Sequence, residues 1–319
     1  MKSSPLLLNS ALLIVALLWG FGFIPQKLGL ETLEPMAFNA WRFCFGALTL
    51  LPILFFLRHK IDEVVNVNVV LVGLLLGSML TAAAGFQQIS LGMTKVANVA
   101  FITGFYVIFV PLFGLFFNHR YTMLTWGGGV LALIGLGLLS GFQLDSFLDG
   151  SITQELEGDG YALVGAFFWA LHLLAINYFV DRYNQYALAF FQFLFCALLS
   201  LIANLMYEPS LLATDSSGYV WALINGVIVV GIAYTLQVLA LKHADPFVAS
   251  VIFSLESVFG AIAGYWFFQE ALGVSGLIGA GLMLVGCVFA QAPEKETPIR
   301  TAAERKSLER KTLERKTPL

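Results

Sequence analysis

Three ionisable side chains, Arg42, His172 and Glu256, stand inside long apolar stretches of this sequence. Glu256 lies about ten residues into the stretch 246–268, which is about 15 Å along a helix that rises 1.5 Å per residue. Loss of water around a carboxyl group favours its neutral, protonated form, so this position suits reversible proton binding. We interpret Glu256 as a site for a proton or a substrate amine. The alternative is a protonated acid that is hydrogen-bonded between packed helices.

Arg42 and His172 each allow a functional and a structural interpretation. Arg42 could pair with Glu256 or hold a substrate carboxylate, or its long side chain could reach out to a polar interface. His172 could relay protons because an unperturbed imidazole titrates near pH 6.5. A structural histidine with satisfied hydrogen bonds is the alternative. Glu256 and His172 are therefore the candidates for proton coupling.

The composition indicates what must position these side chains. The chain is 59% hydrophobic and only 12% charged, and its mean hydropathy is +0.84. Soluble domains are about 45–50% apolar and about 25% charged, whereas a helix that crosses a bilayer needs about 20 mostly apolar residues. Stretches of this length recur ten times, which predicts an all-α integral membrane fold with ten transmembrane helices. The predicted spans are residues 6–25, 36–57, 67–91, 95–117, 122–142, 158–180, 186–207, 219–241, 246–268 and 273–292.

The basic residues of the connecting loops are distributed asymmetrically. The odd-numbered loops hold only Lys27 and Lys95, and the longest of them is acidic. The N-terminus and the even-numbered loops hold Lys2, Arg58, Lys60, Arg120, Arg182 and Lys242. Because lysine and arginine are enriched on the cytoplasmic side of membrane proteins, both termini are predicted to be cytoplasmic.

The two halves of the sequence resemble each other at an offset of about 150 residues. Trp19 matches Trp169 and Phe109 matches Phe259, while Gln88 matches Gln237 one residue out of step and Phe43 matches Phe195 two residues out of step. With five spans in each half, the second half must be inverted relative to the first. Inverted-topology repeats are common in secondary transporters, whose substrate site lies near the midplane between the halves.

Several short motifs resemble the drug/metabolite transporter superfamily, specifically its EamA-type ten-helix branch. They are Leu18 to Gly20, Ala40 to Phe43, Ala240 to Lys242, Ala249 with Ser250, Leu255 to Phe259, Gln269 with Glu270, and the glycine-rich tenth span. The resemblance covers residues 1 to about 292. It implies a central cavity lined by spans one to four and six to nine, with spans five and ten packed outside it at a possible homodimer contact.

Six aromatic residues are placed toward this cavity by the repeat or by the resemblance. They are Trp19, Phe38, Trp41, Tyr106, Trp169 and Tyr234, and Tyr106 is the repeat partner of Glu256. Aromatic faces can stack a planar substrate or bind a cation. Plain packing is the alternative role for each of them. Together with Arg42, His172 and Glu256, these residues form the predicted transport pathway.

Enzyme signatures are weak or missing. The sequence contains no GxxxxGK[ST] nucleotide motif and no HExxH zinc motif, and Cys44, Cys196 and Cys287 lack metal-ligand spacing. Gly273 to Gly276 reads GVSG, like the GxSG of an intramembrane protease, but no later helix could supply a histidine base. We therefore expect no catalytic residues, cofactor, metal or nucleic-acid partner.

The predicted organisation is a first EamA-like five-helix repeat at 1–142, an acidic external loop at 143–157, a second repeat at 158–292 and a basic cytoplasmic tail at 293–319. The repeat and the resemblance predict a secondary transporter of the cytoplasmic (inner) membrane. It would export amino acids or drug-like metabolites by alternating access, with a small molecule and the lipid bilayer as its partners. The alternatives are a passive facilitator or channel and a non-transporting scaffold.

Overall fold

The computed structural model describes residues 5–57, 65–116, 122–140, 154–208, 210–270 and 273–290, and the statements below concern these residues. They form helices and connecting turns, without a strand. The first half contains α1 (Pro5–Gly29), α2 (Pro35–Phe56), α3 (Val67–Met93), α4 (Val96–Thr103), α5 (Tyr106–Phe116) and α6 (Met123–Ser140). The second half contains α7 (Gln154–Phe179), α8 (Gln185–Tyr207), α9 (Ser217–Asn225), a π-helical segment (Gly226–Tyr234), α10 (Thr235–Leu241), α11 (Pro246–Phe253), α12 (Glu256–Phe268) and α13 (Val274–Ala290).

Eight helical stretches are long and apolar enough to cross a membrane within the described part of the chain. They are Leu6–Gly29, Pro35–Phe56, Val67–Met93, Val96–Leu115, Gln154–Phe179, Gln185–Tyr207, Ser217–Leu241 and Pro246–Phe268. The fifth and tenth predicted spans correspond to shorter apolar helices, Met123–Leu138 and Val274–Ala290. The all-helical membrane architecture is thus confirmed, and within the described residues two of the ten predicted spans are represented by shorter apolar helices.

The start of the second half differs from the sequence prediction. The acidic loop was expected to extend to residue 157, whereas α7 begins at Gln154. Glu155 and Glu157 lie in its first turn, where carboxylates interact favourably with the positive end of the helix dipole. Loop residues 143–153 and the basic tail lie outside the described residues.

The fourth and ninth predicted spans are interrupted in the middle, which the sequence analysis did not predict. One interruption lies between Thr103 and Tyr106, and the other lies 150 residues later, between Phe253 and Glu256. The eighth span contains the π-helical segment, a form that often marks functional sites in helices. These irregular segments surround the cavity described below.

Hydrogen bonds between helices repeat at the same offset of 150 residues. Lys27 donates to the carbonyl groups of Leu91 and Thr94. In the other half, Asn177 donates to the carbonyl groups of Leu241 and Ala244. This constant offset makes Gln87 the counterpart of Gln237, and Phe43 the counterpart of Phe193, whose rings lie 6.4 Å apart.

The two halves also pack against each other in a reciprocal way. Helix α3 lies along α7 and α8, while α1 and α2 lie along the span formed by α9, the π-helical segment and α10. Glycines allow the backbones to approach: a Cβ at Gly77 would lie 2.9 Å from the carbonyl oxygen of Gln192, and one at Gly226 would lie 2.5 Å from that of Arg42. Close contact through small residues is typical of helix packing in membranes.

Helices α6 and α13 pack against each other through glycines. A Cβ at Gly135 would lie 2.5 Å from the carbonyl oxygen of Gly279, and one at Gly128 would lie 2.5 Å from that of Gly286. Their outward sides carry exposed Val130, Ile134 and other apolar residues. A homodimer contact through these outward sides stays a prediction.

Gly286→Ala is expected to destabilise the protein by about 1–3 kcal/mol because a tightly packed contact cannot accept another methyl group. The added Cβ would lie 2.6 Å from the carbonyl oxygen of Gly128. The measurement is the apparent Tm of the purified protein in detergent. Gly281→Ala is the matched control on the same helix, because no atom lies within 4 Å of its added Cβ. Equal Tm changes in both variants would contradict the close α6–α13 contact.

Candidate functional site: a cavity between the two halves

A small cavity of about 20 Å³ lies where the interrupted spans meet. Helices α1, α3 and α5 of the first half and α7, α12 and the π-helical segment of the second half form its wall. The lining residues are Trp19, Phe23, Gln26, Gln87, Tyr106, Trp169, Val229, Tyr234 and Glu256. The cavity is therefore a joint product of both halves.

Three aromatic side chains form one wall of the cavity. The rings of Trp169 and Tyr234 are stacked, with centroids 5.7 Å apart and planes 14° apart. Trp19 lies against both of them, at 6.1 Å from Trp169 and 5.1 Å from Tyr234. All three side chains are buried. The sequence prediction that these three residues share one site agrees with this arrangement.

Glu256 is placed in the cavity by the interruption of its span. It is the first residue of α12, and the hydroxyl of Ser257 beside it donates to the carbonyl group of Ala100. Glu256 is 4% exposed and Tyr106 is 3% exposed. The Tyr106 hydroxyl lies beside the Glu256 carboxyl group, and the two side chains interact with each other. The structure therefore brings these two repeat-equivalent residues together in the cavity, and the role of Glu256 in binding a proton or an amine stays a prediction.

Arg42 lies beside the cavity rather than in its wall. The side chain is 0% exposed, so it does not reach a polar interface as the alternative interpretation proposed. Nη1 donates to Gln26 Oε1 at 2.7 Å and to Asn225 Oδ1 at 3.3 Å, both neutral acceptors, instead of pairing with Glu256. The guanidinium also lies over the ring of Phe43, 4.9 Å from its centroid. Through Gln26, Arg42 fixes one polar side chain of the cavity.

His172 is fully buried one layer away from the cavity. Its Nε2 lies 2.9 Å from Gln192 Oε1, and its ring meets that of Trp169 edge-on, with centroids 5.9 Å apart. Nδ1 has no hydrogen-bond partner among the described residues. His172 thus supports the aromatic wall, and its role in proton transfer stays a prediction.

Phe38 and Trp41 lie away from the cavity in a separate apolar cluster with Leu33 and Ala222. The ring of Phe38 covers Gly29, where an added Cβ would clash with it. Trp41 donates from Nε1 to the carbonyl group of Leu211, outside the cavity. The guanidinium of Arg42 lies 5.8 Å from the centroid of the Phe38 ring, but neither Phe38 nor Trp41 lines the cavity.

Four lining residues were missed by the sequence analysis: Phe23, Gln26, Gln87 and Val229. Two of them had a detectable signal. Residues 19, 23 and 26 are spaced so that they share one face of a helix. Gln26 is thus an isolated polar residue on the same face as Trp19. Val229 had no such signal, because the π-helical segment changes which residues of that span point inward.

The arrangement places one carboxyl group beside an aromatic wall, a combination that can attract a cation. Aromatic faces attract cations, and a carboxyl group near them can hold an ammonium group or a proton. Gln26 and Gln87 add amide groups, of which Gln87 Nε2 donates to Thr103 Oγ1 at 3.2 Å. Small-molecule sites typically combine apolar walls with a few polar groups. The described residues contain no group of three or more His, Cys, Asp or Glu side chains that could hold a metal ion.

Comparison with known proteins places the chain in a functional class. The EamA-like transporter family matches residues 7–141 and again residues 156–291. An uncharacterized transporter of Archaeoglobus fulgidus is 27% identical over 282 residues, covering 87% of this chain and 83% of its own. The uncharacterized transporter YoaV of Bacillus subtilis is 23% identical and covers 85% and 92%.

Two further matches concern the membrane and the fold. The uncharacterized inner membrane transporter YedA of Escherichia coli is 27% identical over 167 residues, or 51% of each chain. A solved crystal structure with 21% identity has a TM-score of 0.70 and covers 88% of this chain and 96% of its own. The apolar helical bundle and these relatives define a multi-pass membrane transporter. The chain belongs to the EamA-like transporter family.

Arg42→Ala is expected to destabilise the protein by about 2–4 kcal/mol, because the change creates a cavity and leaves buried acceptors of Gln26 and Asn225 unpaired. Thermal unfolding in detergent measures this as a lower apparent Tm. Arg182→Ala is the matched control, because Arg182 is exposed and lies over the ring of Tyr178. A control effect as large as that of Arg42→Ala would contradict a special role for the buried guanidinium.

Proposed function

We propose that this protein is a secondary transporter of ten membrane helices in two inverted five-helix halves, and that it exports small amine-bearing metabolites by alternating access. The observation that carries the proposal is the buried carboxyl group of Glu256 in an aromatic cavity shared by both halves. The aromatic wall takes the apolar part of the substrate. Glu256 takes either the ammonium group or a proton.

Repeated geometry supports the inverted arrangement. Three features recur at an offset of 150 residues: the interrupted spans, the hydrogen bonds of Lys27 and Asn177, and the packing of each half on the other. Each half contributes five spans or span-like helices, and an odd number reverses direction. Two halves related in this way can exchange conformations, which exposes a central site to each side in turn.

If a proton and the ammonium group of the substrate bind to the carboxyl group of Glu256 in turn, transport of the substrate is coupled to movement of protons. When Glu256 is protonated, the cavity is neutral and the ammonium group is released. When Glu256 is ionised, the cavity retains a cation, because an uncompensated charge in an apolar environment is costly. A proton and an amine that compete for Glu256 would give antiport, which uses an inward proton gradient to drive export.

The proposal also places the protein in the cytoplasmic membrane with both termini on the cytoplasmic side. The excess of lysine and arginine in the even-numbered loops supports cytoplasmic termini. YedA, similar over half of this chain, is named an inner membrane transporter, which supports the cytoplasmic membrane.

Glu256→Gln is expected to abolish proton-driven flux while leaving the fold intact, because the amide keeps the volume but cannot bind a proton at physiological pH. The measurement is uptake and efflux of labelled amines and amino acids by proteoliposomes, with and without a pH gradient. Wild-type flux should saturate and increase with the gradient, and the variant should lose at least about tenfold, or about 1.4 kcal/mol. Glu155→Gln is the matched control, because Glu155 is exposed at the start of α7.

The other outcomes separate the remaining functions. Saturable flux that ignores the gradient and survives Glu256→Gln would identify a facilitator and remove the coupling role of Glu256. Wild-type protein without flux for any solute of the panel, despite a native apparent Tm, would favour a scaffold.

A further inference from the structure

Two helix N-termini at one end of the bundle are capped by carboxylates from the opposite half. Glu208, at the end of α8, accepts from the backbone N–H groups of Met36 and Ala37 at the start of α2, at 2.7 and 3.1 Å. Glu270, after α12, accepts from the N–H groups of Val96 and Ala97 at the start of α4, both at 3.1 Å. We call this end of the bundle the cross-capped end.

Backbone geometry aims Glu270 at its partners. Gln269 adopts a left-handed conformation with φ of 55°, the one positive φ of a non-glycine residue in the described part of the chain. The N–H group of Glu270 donates back to the carbonyl group of Gly264, and a Cβ at Gly264 would lie 2.6 Å from Glu270 Oε2. A left-handed non-glycine residue costs about 1–3 kcal/mol and persists where the surrounding structure requires it.

Further contacts join the two halves at the cross-capped end. The N–H group of Thr214, in the α8–α9 loop, donates to the carbonyl group of Thr32, in the α1–α2 loop, at 3.0 Å. Trp41 Nε1 donates to the carbonyl group of Leu211 in the same α8–α9 loop at 3.2 Å. The α8–α9 loop is thus attached to the first half on both sides of α2's start.

The repeat-equivalent helices at the opposite end are capped differently. Asn184 Oδ1 accepts from the N–H groups of Tyr186 and Ala187 of its own helix, α8. Asp245 Oδ1 does the same for Phe247 and Val248 of α11. Glu34 and Lys95, the counterparts of Asn184 and Asp245 at an offset of 150 residues, make no side-chain cap. The cross-capped helices therefore depend on the other half, whereas α8 and α11 are satisfied locally.

The sequence carries the same asymmetry. Arg58 and Arg120 stand 150 residues before Glu208 and Glu270. Both lie outside the described residues, but an arginine side chain has no hydrogen-bond acceptor and cannot cap a helix N-terminus as a carboxylate does. The two halves thus carry different side chains at equivalent positions, arginine in the first half and glutamate in the second, although the helical arrangement repeats.

We propose that Glu208 and Glu270 act as two latches that hold the cross-capped end closed and set the resting preference for the cavity to open toward the opposite end. Each carboxylate belongs to one half and its two amide donors to the other, so separation of the halves at this end must break both pairs of bonds. At the opposite end, the helix caps that the structure describes, those of Asn184 and Asp245, lie within one half. The proposal rests on the alternating-access function proposed above, in which the predicted orientation places the cross-capped end outside.

The test measures access to the cavity without any substrate. Cys44, Cys196 and Cys287 are replaced by alanine, and Val229→Cys supplies a reporter in the cavity wall. Labelling by a membrane-impermeant maleimide is followed in vesicles of both orientations. A second reporter, Leu212→Cys, identifies the cross-capped side, because Leu212 is 66% exposed there.

Glu208→Ala and Glu270→Ala are each expected to raise labelling of the cavity reporter from the cross-capped side about fivefold, the population change that corresponds to losing one helix cap of about 1 kcal/mol. Asn184→Ala and Asp245→Ala are the matched controls, because they remove caps that do not join the halves. The controls should leave access from this side unchanged. If the alanine variants are poorly folded, Glu208→Gln and Glu270→Gln keep the side-chain volume and lose one acceptor.

The latch proposal would be contradicted if labelling of the cavity reporter stayed unchanged in all the glutamate variants. It would also be contradicted if labelling increased equally in the control variants. The result is independent of the transport assay. Altered labelling in a protein that shows no flux would support the latches and contradict the proposed transport function. Normal flux together with unaltered labelling would contradict the latches and leave the proposed transport function standing.

Discussion

The structure depends on one constraint: a backbone N–H or C=O group inside a membrane finds no water and must be satisfied by the protein. Long helices meet this requirement by themselves, which is why the described chain is helical from end to end. At the breaks after Thr103 and Phe253 the backbone is satisfied locally, since the N–H groups of Phe105 and Leu255 donate to the carbonyl groups of Ile102 and Ile252. Ser257 adds a bond between the halves by donating to the carbonyl group of Ala100.

The two halves share one helical arrangement because their sequences repeat, and the ionisable groups differ where equivalent positions hold different residues. At positions 150 residues apart, Glu256 faces Tyr106, and Arg42 stands where the other half has Gln192. The same holds for the helix ends, where Glu208 and Glu270 cap across the halves while Asn184 caps within its own helix. The unequal side chains place a single carboxylic acid, Glu256, in the cavity.

Sequence reasoning succeeded where the signal was strong and local. The membrane helices followed from apolar length, and the family followed from motifs that the comparisons confirmed. Trp19, Trp169, Tyr234, Tyr106 and Glu256 were assigned to one site, and the structure brings them together. It failed for Phe38 and Trp41, which pack in a separate cluster. In a uniformly apolar helix, hydrophobic periodicity does not indicate which side faces a cavity, so rotation about the helix axis was undetermined.

The sequence by itself determined that this is a membrane protein, that it is helical and that its two halves are related, because these depend on composition, length and spacing. Only the tertiary structure decided which groups meet. The bonds of Arg42 join side chains of three different helices, which are brought together only by packing. Likewise, a glutamate at the end of one helix becomes a cap for another only when packing brings that helix within 3 Å or so of its carboxylate.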